Sequence, residues 1–319
     1  MKKKLLFSAP HNFISKSLLA ELERQFDVLY QYKANKDDVL KTLADVSVWI
    51  VSTAPAEYIG SNYIENAPKL EVVVTPSTGW THIDRTFIEA KGITFYSLRG
   101  NSGLKDISAS AEFTFLLVLS LARKLPLSLS QPKMGSWREK ESELRGFELN
   151  GKVMGIIGFG RIGSYLAKYC QAFNMEVLAT DIEERNMPGY VKKCSVDELL
   201  ENSDFVALCI TNLPTNKNYF NKAKFDRMKK GSYFINTSRG EMVSESALLE
   251  SLKRGRIAGA AIDVLKGEQS IDFENNELMK YSAKHSNLII SPHVAGLTFD
   301  SERKAAEISI KRLLSHFRN

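Results

Sequence analysis

Arg239, Glu268 and His293 each follow an apolar, strand-like run in the second half of the chain, and their side chains could act together. An arginine offers a planar, two-pronged donor to a carboxylate. A histidine exchanges a proton near neutral pH, and a neighbouring carboxylate can hold it charged. Each residue alone has a structural explanation, as a surface arginine, a solvated glutamate or a core histidine. Because open α/β sheets bind ligands at the carboxyl ends of their strands, the combination predicts a site that orients an organic acid and moves a proton.

A glycine pattern near the middle of the chain predicts a dinucleotide-binding turn. Gly158, Gly160 and Gly163 fall between the apolar run Val153–Ile157 and a helical pattern over residues 164–173. In such a turn the first glycine permits a sharp bend, the second lets the backbone approach a pyrophosphate, and the third lets helix and strand pack closely. A structural turn without a cofactor is the alternative, but the flanking strand and helix favour a dinucleotide, whose pyrophosphate would rest at the helix N-terminus.

Asp181 ends the next strand-like run at the position where a ribose-binding carboxylate is expected. There it would accept hydrogen bonds from the adenosine ribose and repel a 2′-phosphate, which favours NAD over NADP. Arg185 follows closely, so the preference is not absolute. Beside a nicotinamide dinucleotide, the capacities of the arginine, histidine and glutamate are those that hydride transfer to a 2-keto acid requires.

Two parallel α/β sheets must position these residues, because β-branched runs alternate with amphipathic stretches throughout. The first half predicts helices over residues 15–24 and Lys36–Leu43, and strands over residues 4–8, Phe26–Tyr30, 46–51, 70–75 and 93–96. The second half predicts a six-stranded doubly wound (Rossmann-type) sheet with strands at Val153–Ile157, Glu176–Thr180, 205–210, 233–236, Ile257–Ile262 and 288–291. A buried helix over residues 107–123 connects the halves, and a polar-faced helix over residues 299–317 ends the chain.

Length and composition limit the possible classes of protein. A chain of 319 residues exceeds the size at which one core stops growing, so two domains are expected. The net charge is +6, but lysines and arginines are spread along the chain, which argues against a nucleic-acid partner. No apolar stretch approaches the ~20 residues of a membrane helix, so no membrane partner is expected. Cys170, Cys194 and Cys209 form no CxxC pair, which predicts a reducing, cytoplasmic location without a disulfide framework or thiolate metal site.

Several motifs together resemble the D-isomer-specific 2-hydroxyacid dehydrogenase family over nearly the whole chain. They are the glycine turn, residues 77–84, residues 236–240, Asp263 and Val264 with Glu268, and residues 291–293. The resemblance implies a smaller flavodoxin-like lid domain and an NAD-binding Rossmann domain. The expected boundaries are residues 1–100 for the lid, 101–294 for the cofactor domain, and 295–319 for a helix that returns to the lid.

The resemblance also implies roles for individual residues. Arg239 would bind the substrate carboxylate and carbonyl, and His293 would be the acid–base with Glu268 as its partner. Backbone amides around Thr78 and Gly79 would bind the carboxylate from the lid, so that the active site lies in the cleft between the domains. The cofactor contacts would be Gly158, Gly160, Arg161, Ile162, Asp181, Thr211, Thr237 and Asp263. The expected substrate is a small 2-hydroxy or 2-keto acid, without a bound metal, and family members commonly form homodimers through the cofactor domain.

Departures from the family pattern leave the substrate open. Thr211 stands where the family usually has a proline, and the loop before Glu268 differs in sequence. Residues 51–56 of the lid contain no arginine, whereas the phosphoglycerate dehydrogenases that this family includes carry one there. Two alternatives therefore stand beside a dehydrogenase for small hydroxy acids. One is a non-catalytic, NAD-sensing scaffold of the same fold, and the other is a dehydrogenase for phosphoglycerate or a phosphonate.

Overall fold

The structure is a computed structural model that describes residues 2–55 and 57–318, without the side chains of Pro214 and Gln269. Ala56, which ends the predicted lid loop 51–56, and both terminal residues lie outside the described part. The chain divides into two compact units. The first contains the residues up to Ile107 together with those from Leu297 onward, and the second is Ser108–Gly296.

In the described residues up to Ile107, parallel strands and short helices alternate. The strands are β1 (Lys3–Phe7), β2 (Phe26–Tyr30), β3 (Val48–Ile50), β4 (Val72–Val74) and β5 (Thr94–Tyr96). The helices are α1 (Lys16–Gln25), α2 (Lys36–Leu43), α3 (Ser61–Ile64) and α4 (Arg85–Ala90). The strand order β2-β1-β3-β4-β5 is that of a flavodoxin-like sheet, as predicted. Every residue of β3 and β4 is buried, which is typical of a parallel sheet covered on both faces.

The second unit is a larger parallel sheet with helices between its strands. Its strands are β6 (Val153–Ile157), β7 (Glu176–Thr180), β8 (Val191–Lys193), β9 (Phe205–Leu208), β10 (Ser232–Asn236), β11 (Ile257–Ile262) and β12 (Leu288–Ile290). Its helices are α5 (Ala109–Ala122), α6 (Leu125–Lys133), α7 (Glu141–Leu144), α8 (Arg161–Ala172), α9 (Val196–Asn202), α10 (Lys222–Arg227), α11 (Glu245–Lys253) and α12 (Glu277–Ser282).

The order of the larger sheet is β12-β11-β10-β9-β6-β7-β8, which contains the doubly wound arrangement and its reversal between β6 and β9. The Rossmann-type prediction is confirmed. Within the described residues the sheet has one strand more than predicted, β8. This strand is three residues long, and Val191 is its one buried side chain, so it carries almost no periodic signal.

Helix α5 is buried on most of its surface and packs on α8, β10 and β11, in agreement with the predicted buried helix. This burial accounts for the long apolar run in the sequence of α5, a feature that membrane-spanning helices share. Among the described residues, no single helix is long and apolar enough to cross a membrane, and one bent pair, residues 102–122 with 125–133, meets the length and composition of a span.

The chain ends in helix α13 (Phe299–His316), which belongs to the first unit. Thr298 begins the helix with a capping box, in which its side chain and that of Ser301 each bond the other residue's backbone. Ile310 and Leu313 are completely buried in the same apolar cluster as Phe7 of β1. The C-terminal helix therefore completes a core that the first hundred residues begin.

Leu313→Ala should lower the free energy of unfolding of the first unit by about 2–5 kcal/mol, because it leaves a cavity in this cluster. Lys311→Ala on the exposed side of α13 is the matched control. Urea unfolding followed by circular dichroism measures both variants. Equal stability of the two would contradict a structural role for α13 in the first unit.

Candidate active site

The carboxyl ends of the parallel strands in the second unit meet at one edge of the sheet. Gly158 follows β6 and Asp181 follows β7 on one side of the strand-order reversal. Arg239 follows β10, Asp263 follows β11, and His293 lies just beyond β12 on the other side. This edge is where doubly wound sheets bind their ligands.

At two positions in the glycine turn, neighbouring backbone lies so close that no side chain fits. Gly158 has a φ of 96°, and a Cβ atom there would lie 2.7 Å from the carbonyl oxygen of Cys209. A Cβ atom on Gly163 would lie 2.2 Å from the carbonyl oxygen of Gly158. The first and third glycines therefore allow the turn and the contact between α8 and β6.

The second glycine faces open space at the start of a helix. Gly160 is the N-cap of α8, and a Cβ atom there would have no neighbour within 4 Å among the described atoms. Gly160 has no side chain with which to cap the first turn of α8, and this turn contains Arg161 and the half-buried Ile162. Burial lowers the pKa of Arg161. An uncapped helix N-terminus behind an open glycine is the geometry that a pyrophosphate requires, so these residues fit a dinucleotide.

Asp181 is a nearly buried carboxylate, with 8% of its side chain exposed. Its Oδ2 accepts hydrogen bonds from the N–H of Phe159 at 2.7 Å and from Nε of Arg185 at 3.2 Å. Its Oδ1 accepts from the N–H of Glu183 at 2.9 Å. Burial acts to raise the pKa of Asp181, but these donors outweigh it and hold the pKa below its usual value. A carboxylate has about four acceptor positions, so the described donors leave room for a ribose hydroxyl.

Arg239 is held against the backbone with part of its guanidinium unsatisfied. Its Nη1 donates to the carbonyl of Ser238 at 2.7 Å, whereas its buried Nε has no hydrogen-bond partner in the described part of the chain. Burial lowers the pKa of Arg239, and the charges of Glu268 and Glu241 oppose this shift. Arginine stays protonated in proteins, so this side chain is a partly desolvated cation with a donor available to an anion.

His293 and Glu268 are 25 residues apart in the chain, and the structure brings them into direct contact. Nδ1 of His293 is hydrogen bonded to Oε1 of Glu268. Since an ionised carboxylate only accepts, Nδ1 must carry the hydrogen, which leaves Nε2 pointing away from Glu268. The side chains are 41% and 31% exposed, so a small molecule can reach the pair.

The backbone of His293 adopts the left-handed conformation, with a φ of 55°. Its N–H donates to the carbonyl oxygen of Asp263 at 2.8 Å. The Asp263 carboxylate in turn accepts from Ser291 Oγ at 2.6 Å and from the N–H groups of Val294 at 3.0 Å and Ala295 at 2.8 Å. The backbone of His293 and of the two residues after it is thus hydrogen bonded to one buried aspartate.

Burial raises the pKa of Asp263, and its hydrogen bonds together with the charge of His293 act in the opposite direction. In this arrangement the oxygens of Asp263 hold the loop that contains His293. A direct contact between Asp263 and a cofactor stays a prediction. Ser291 has no predicted role, although its place directly after a strand and beside a proline is a signal for a residue that fixes a loop.

Two other predicted cofactor residues lie at the same edge. Thr237 is buried, and its Oγ1 lies 2.7 Å from Oγ1 of Thr114. Because Thr114 donates its hydroxyl proton to the carbonyl of Ser110, Thr237 must donate to Thr114. Thr211 is exposed beyond β9, and its carbonyl accepts from Asn216 at 2.8 Å. Their contacts with a cofactor also stay predictions.

Thr78 and Gly79 belong to the first unit, in the loop that follows β4. Thr78 is exposed and Gly79 is half-buried. The loop is stabilised by a hydrogen bond from Ser77 Oγ to the carbonyl of Gly79, and Thr75 contacts both Ser77 and the buried His82. The predicted contact of Thr78 and Gly79 with a carboxylate stays a prediction, and His82 is buried beside Thr75 in this loop.

Trp80, which follows this loop, is packed rather than open. The guanidinium groups of Arg85 and Arg99 lie 5.0 and 4.8 Å from the centroid of its ring, which also meets Phe95 edge-on. These contacts place the partly buried ring against a second apolar cluster of the first unit, which includes Trp49 and Ile83. They favour the packing role for Trp80 over a place in a substrate pocket.

Gly240, which follows Arg239, permits the contact between the arginine segment and the loop leading to Glu268. A Cβ atom on Gly240 would lie 2.1 Å from the carbonyl carbon of Leu265 and 2.3 Å from the nitrogen of Lys266. The sequence pattern alone gives no signal that this glycine is needed for packing. The tight backbone approach becomes visible only when β10 and β11 are placed side by side.

Comparison with known proteins identifies the second unit. Residues 115–295 match the family model described as D-isomer specific 2-hydroxyacid dehydrogenase, NAD binding domain. A glyoxylate reductase from Thermofilum pendens is 32% identical over 287 residues, covering 88% of this chain and 81% of that protein. A D-3-phosphoglycerate dehydrogenase from Haemophilus influenzae is 32% identical over 301 residues, covering 94% of this chain and 71% of that protein.

A solved structure extends the similarity to both units. The D-lactate dehydrogenase from Aquifex aeolicus, crystallised with NAD and lactic acid, has a TM-score of 0.82 and 27% sequence identity. The match covers 99% of this chain and 96% of that one. The predicted family, the predicted two-sheet fold and the predicted cofactor, NAD, are confirmed.

Gly240→Ala should destabilise the second unit by about 1–3 kcal/mol, because the added methyl group meets backbone that cannot rotate away. The amide of Lys266, which donates to Glu245 Oε1 at 2.8 Å, should lose hydrogen-exchange protection. Gly189→Ala is the control, since a Cβ atom there meets no described atom within 4 Å. Unchanged exchange at Lys266 in Gly240→Ala would show that this close approach does not hold the loop.

Proposed function

The chain belongs to the D-isomer specific 2-hydroxyacid dehydrogenase family, and from this premise we propose that it interconverts a small D-2-hydroxy acid and its 2-keto acid. The observation that carries the proposal is the hydrogen bond between His293 and Glu268 at the edge of the sheet where Arg239 also lies. These residues supply an acid–base, its carboxylate partner and a cation within one unit. Bound NAD supplies or accepts the hydride at carbon 2 of the acid.

Arg239 would bind the carboxylate and the carbonyl oxygen of the keto acid. Its Nε is buried and unsatisfied within the described residues, which is costly unless an acceptor completes it. A planar acid with adjacent carboxylate and carbonyl oxygens presents such acceptors in the plane of the guanidinium. Binding there also places positive charge beside the carbonyl oxygen, which stabilises the negative charge that develops during reduction.

His293 would donate the proton in reduction and accept it in oxidation. Because Nδ1 faces Glu268, the reacting nitrogen is Nε2. The negative charge of Glu268 stabilises the imidazolium, and the hydrogen bond fixes the plane of the ring. In reduction, a proton moves from Nε2 to the substrate oxygen as the hydride bonds carbon 2, and oxidation reverses both transfers.

The first experiment follows NADH absorbance with glyoxylate, hydroxypyruvate, pyruvate, branched 2-keto acids and 3-phosphohydroxypyruvate. Oxidation of NADH with at least one non-phosphorylated acid is expected. Activity confined to 3-phosphohydroxypyruvate would replace the small-acid proposal with the phosphorylated alternative. If NADH binds but none of these acids causes its oxidation, the result would contradict the proposed reaction.

His293→Ala should lower kcat by about 10²–10⁴-fold on the best of these acids, because the general acid is lost. Arg239→Ala should raise KM and lower kcat together, since it removes both orientation and charge stabilisation. His285→Ala is the matched control, because this exposed histidine stacks on Tyr281 after α12 and has no place in the proposed site. An unchanged kcat in His293→Ala would remove that residue from the mechanism.

We further propose that the protein is a homodimer through the second unit. Large apolar side chains are exposed on and after α6 within a short stretch: Leu125, Leu129, Met134 and Trp137. Leu116 of the neighbouring α5 is also 46% exposed. A group of exposed apolar residues of this size is typical of an interaction surface, and a second copy of the chain is the partner that the family suggests.

Light scattering after gel filtration should give twice the chain mass of 35.8 kDa. Leu129→Glu should shift the protein towards the monomer, because it introduces charges into the apolar surface. Tyr32→Glu, at an exposed tyrosine of the first unit, should leave the mass unchanged. A monomeric wild-type protein, or a dimer insensitive to Leu129→Glu, would contradict this interface.

The state of the cysteines supports the proposed cytoplasmic location. Cys170, Cys194 and Cys209 are free. Burial raises the pKa of the Cys209 thiol to about 12 and also raises that of Cys170, so both are unreactive at neutral pH. Such thiols are typical of proteins that fold in a reducing compartment.

A further inference from the structure

A charged cluster surrounds Asp181 at the end of β7. Arg185 lies between two carboxylates: its Nε donates to Asp181 Oδ2 at 3.2 Å, and its Nη2 donates to Glu183 Oε2 at 2.6 Å. Asp181 is almost buried, whereas the side chains of Arg185 and Glu183 are 40% and 66% exposed. Glu184, the next residue, forms no ion pair with any residue that the structure describes.

The two engaged nitrogens form one edge of the guanidinium. Nε and Nη2 are the pair of parallel donors with which an arginine binds a phosphate or carboxylate in a two-pronged manner. In this structure that edge is divided between Asp181 and Glu183. A phosphate group at the ribose would have to displace one carboxylate before it could bind the edge.

The charges of the cluster act in the same direction. Asp181, Glu183 and Arg185 together carry one net negative charge, so the arginine does not make the ribose region attractive to a phosphate. Without the Glu183 charge, Asp181 and Arg185 would form a neutral pair with Nη2 released. The second carboxylate therefore determines both the net charge of these three side chains and the availability of the donor.

We propose that Glu183 is a positioning residue that holds Arg185 away from a 2′-phosphate and thereby strengthens the preference for NAD over NADP. Glu183 acts through Arg185 and needs no contact with the cofactor. Its backbone N–H also bonds Oδ1 of Asp181, but that bond does not depend on the side chain. A change from glutamate to glutamine should therefore remove the charge, weaken the hold on the arginine and leave Asp181 in place.

The inference rests on the proposed position of the ribose beside Asp181, and this position is tested separately. Asp181→Ala should weaken NADH binding and reduce the difference between NADH and NADPH. If Asp181→Ala changed neither affinity, the ribose would bind elsewhere, and both the ribose assignment and the role of Glu183 would be overturned. The oxidation of 2-hydroxy acids could still hold in that case, because it depends on other residues.

The test is the ratio of NADPH to NADH dissociation constants, measured by isothermal titration calorimetry on the full chain at low ionic strength. Screening by salt would weaken a surface charge effect, so low salt gives the clearest result. Glu183→Gln should lower the ratio by about fivefold to tenfold, corresponding to roughly 1–1.4 kcal/mol. The measurement needs no substrate and does not depend on turnover.

Two further variants separate the release of Arg185 from a general loss of charge. Glu184→Gln removes the same charge one residue away and should change the ratio by less than about twofold. The double variant Glu183→Gln with Arg185→Gln should lose the gain in NADPH affinity. An unchanged ratio in Glu183→Gln, an equal effect of Glu184→Gln, or a gain that survives in the double variant would each overturn the proposal.

Discussion

The geometry of the candidate site depends most directly on the hydrogen bonds that the carboxylate of Asp263 accepts. Asp263 is buried to 1% exposure at the end of β11. A buried carboxylate is stable only when its oxygens are hydrogen bonded, and here the donors are Ser291 and the N–H groups that follow His293. Moving the loop away would remove these donors from a buried carboxylate. The hydrogen bonds of Asp263 thus keep His293 in a left-handed backbone conformation. Few residue types other than glycine adopt this conformation readily.

A second constraint is the close approach of backbone segments at the ends of neighbouring strands. Gly240 lets the chain after β10 touch Leu265 in the loop after β11. As a result Arg239 lies within the electrostatic influence of Glu268, which in turn bonds His293. The cation, the carboxylate and the histidine are therefore connected through one rigid edge of a parallel sheet. Such an edge can hold reacting groups in place better than flexible loops can.

On the other side of the strand reversal, the same edge carries the glycine turn and Asp181. Gly158 and Gly163 make room for backbone, whereas Gly160 leaves space in front of a helix N-terminus. The N–H groups of Phe159 and Glu183 donate hydrogen bonds to the carboxylate of Asp181, so the fold itself fixes the position of this carboxylate. The order of the strands thus fixes two sets of residues, the glycine turn with Asp181 on one side of the reversal and Arg239, Glu268 and His293 on the other.

The periodic sequence pattern was sufficient for most of this fold. Long apolar runs such as β6 and β11 were predicted with their correct bounds, because strands buried on both faces are nearly continuous in hydrophobic residues. The pattern missed β8, which has one buried residue. It also began α8 three residues late, because a helix start that contains Gly163 has no apolar periodicity.

The sequence by itself determined the family, the two parallel sheets, NAD as the cofactor, and the types of residue at each strand end. These follow from local patterns: glycine spacing, alternation of strands and helices, and the rule that parallel strands share one edge for ligands. Through the family resemblance, the sequence also paired His293 with Glu268, and the structure shows the two in contact. The tertiary structure alone decided that Asp263 holds the histidine loop and that Arg185 lies between Asp181 and Glu183. The contacts of Asp263 join residues distant in the chain. All of these contacts depend on the path of loops and the rotamers of side chains, which packing selects and no local pattern encodes.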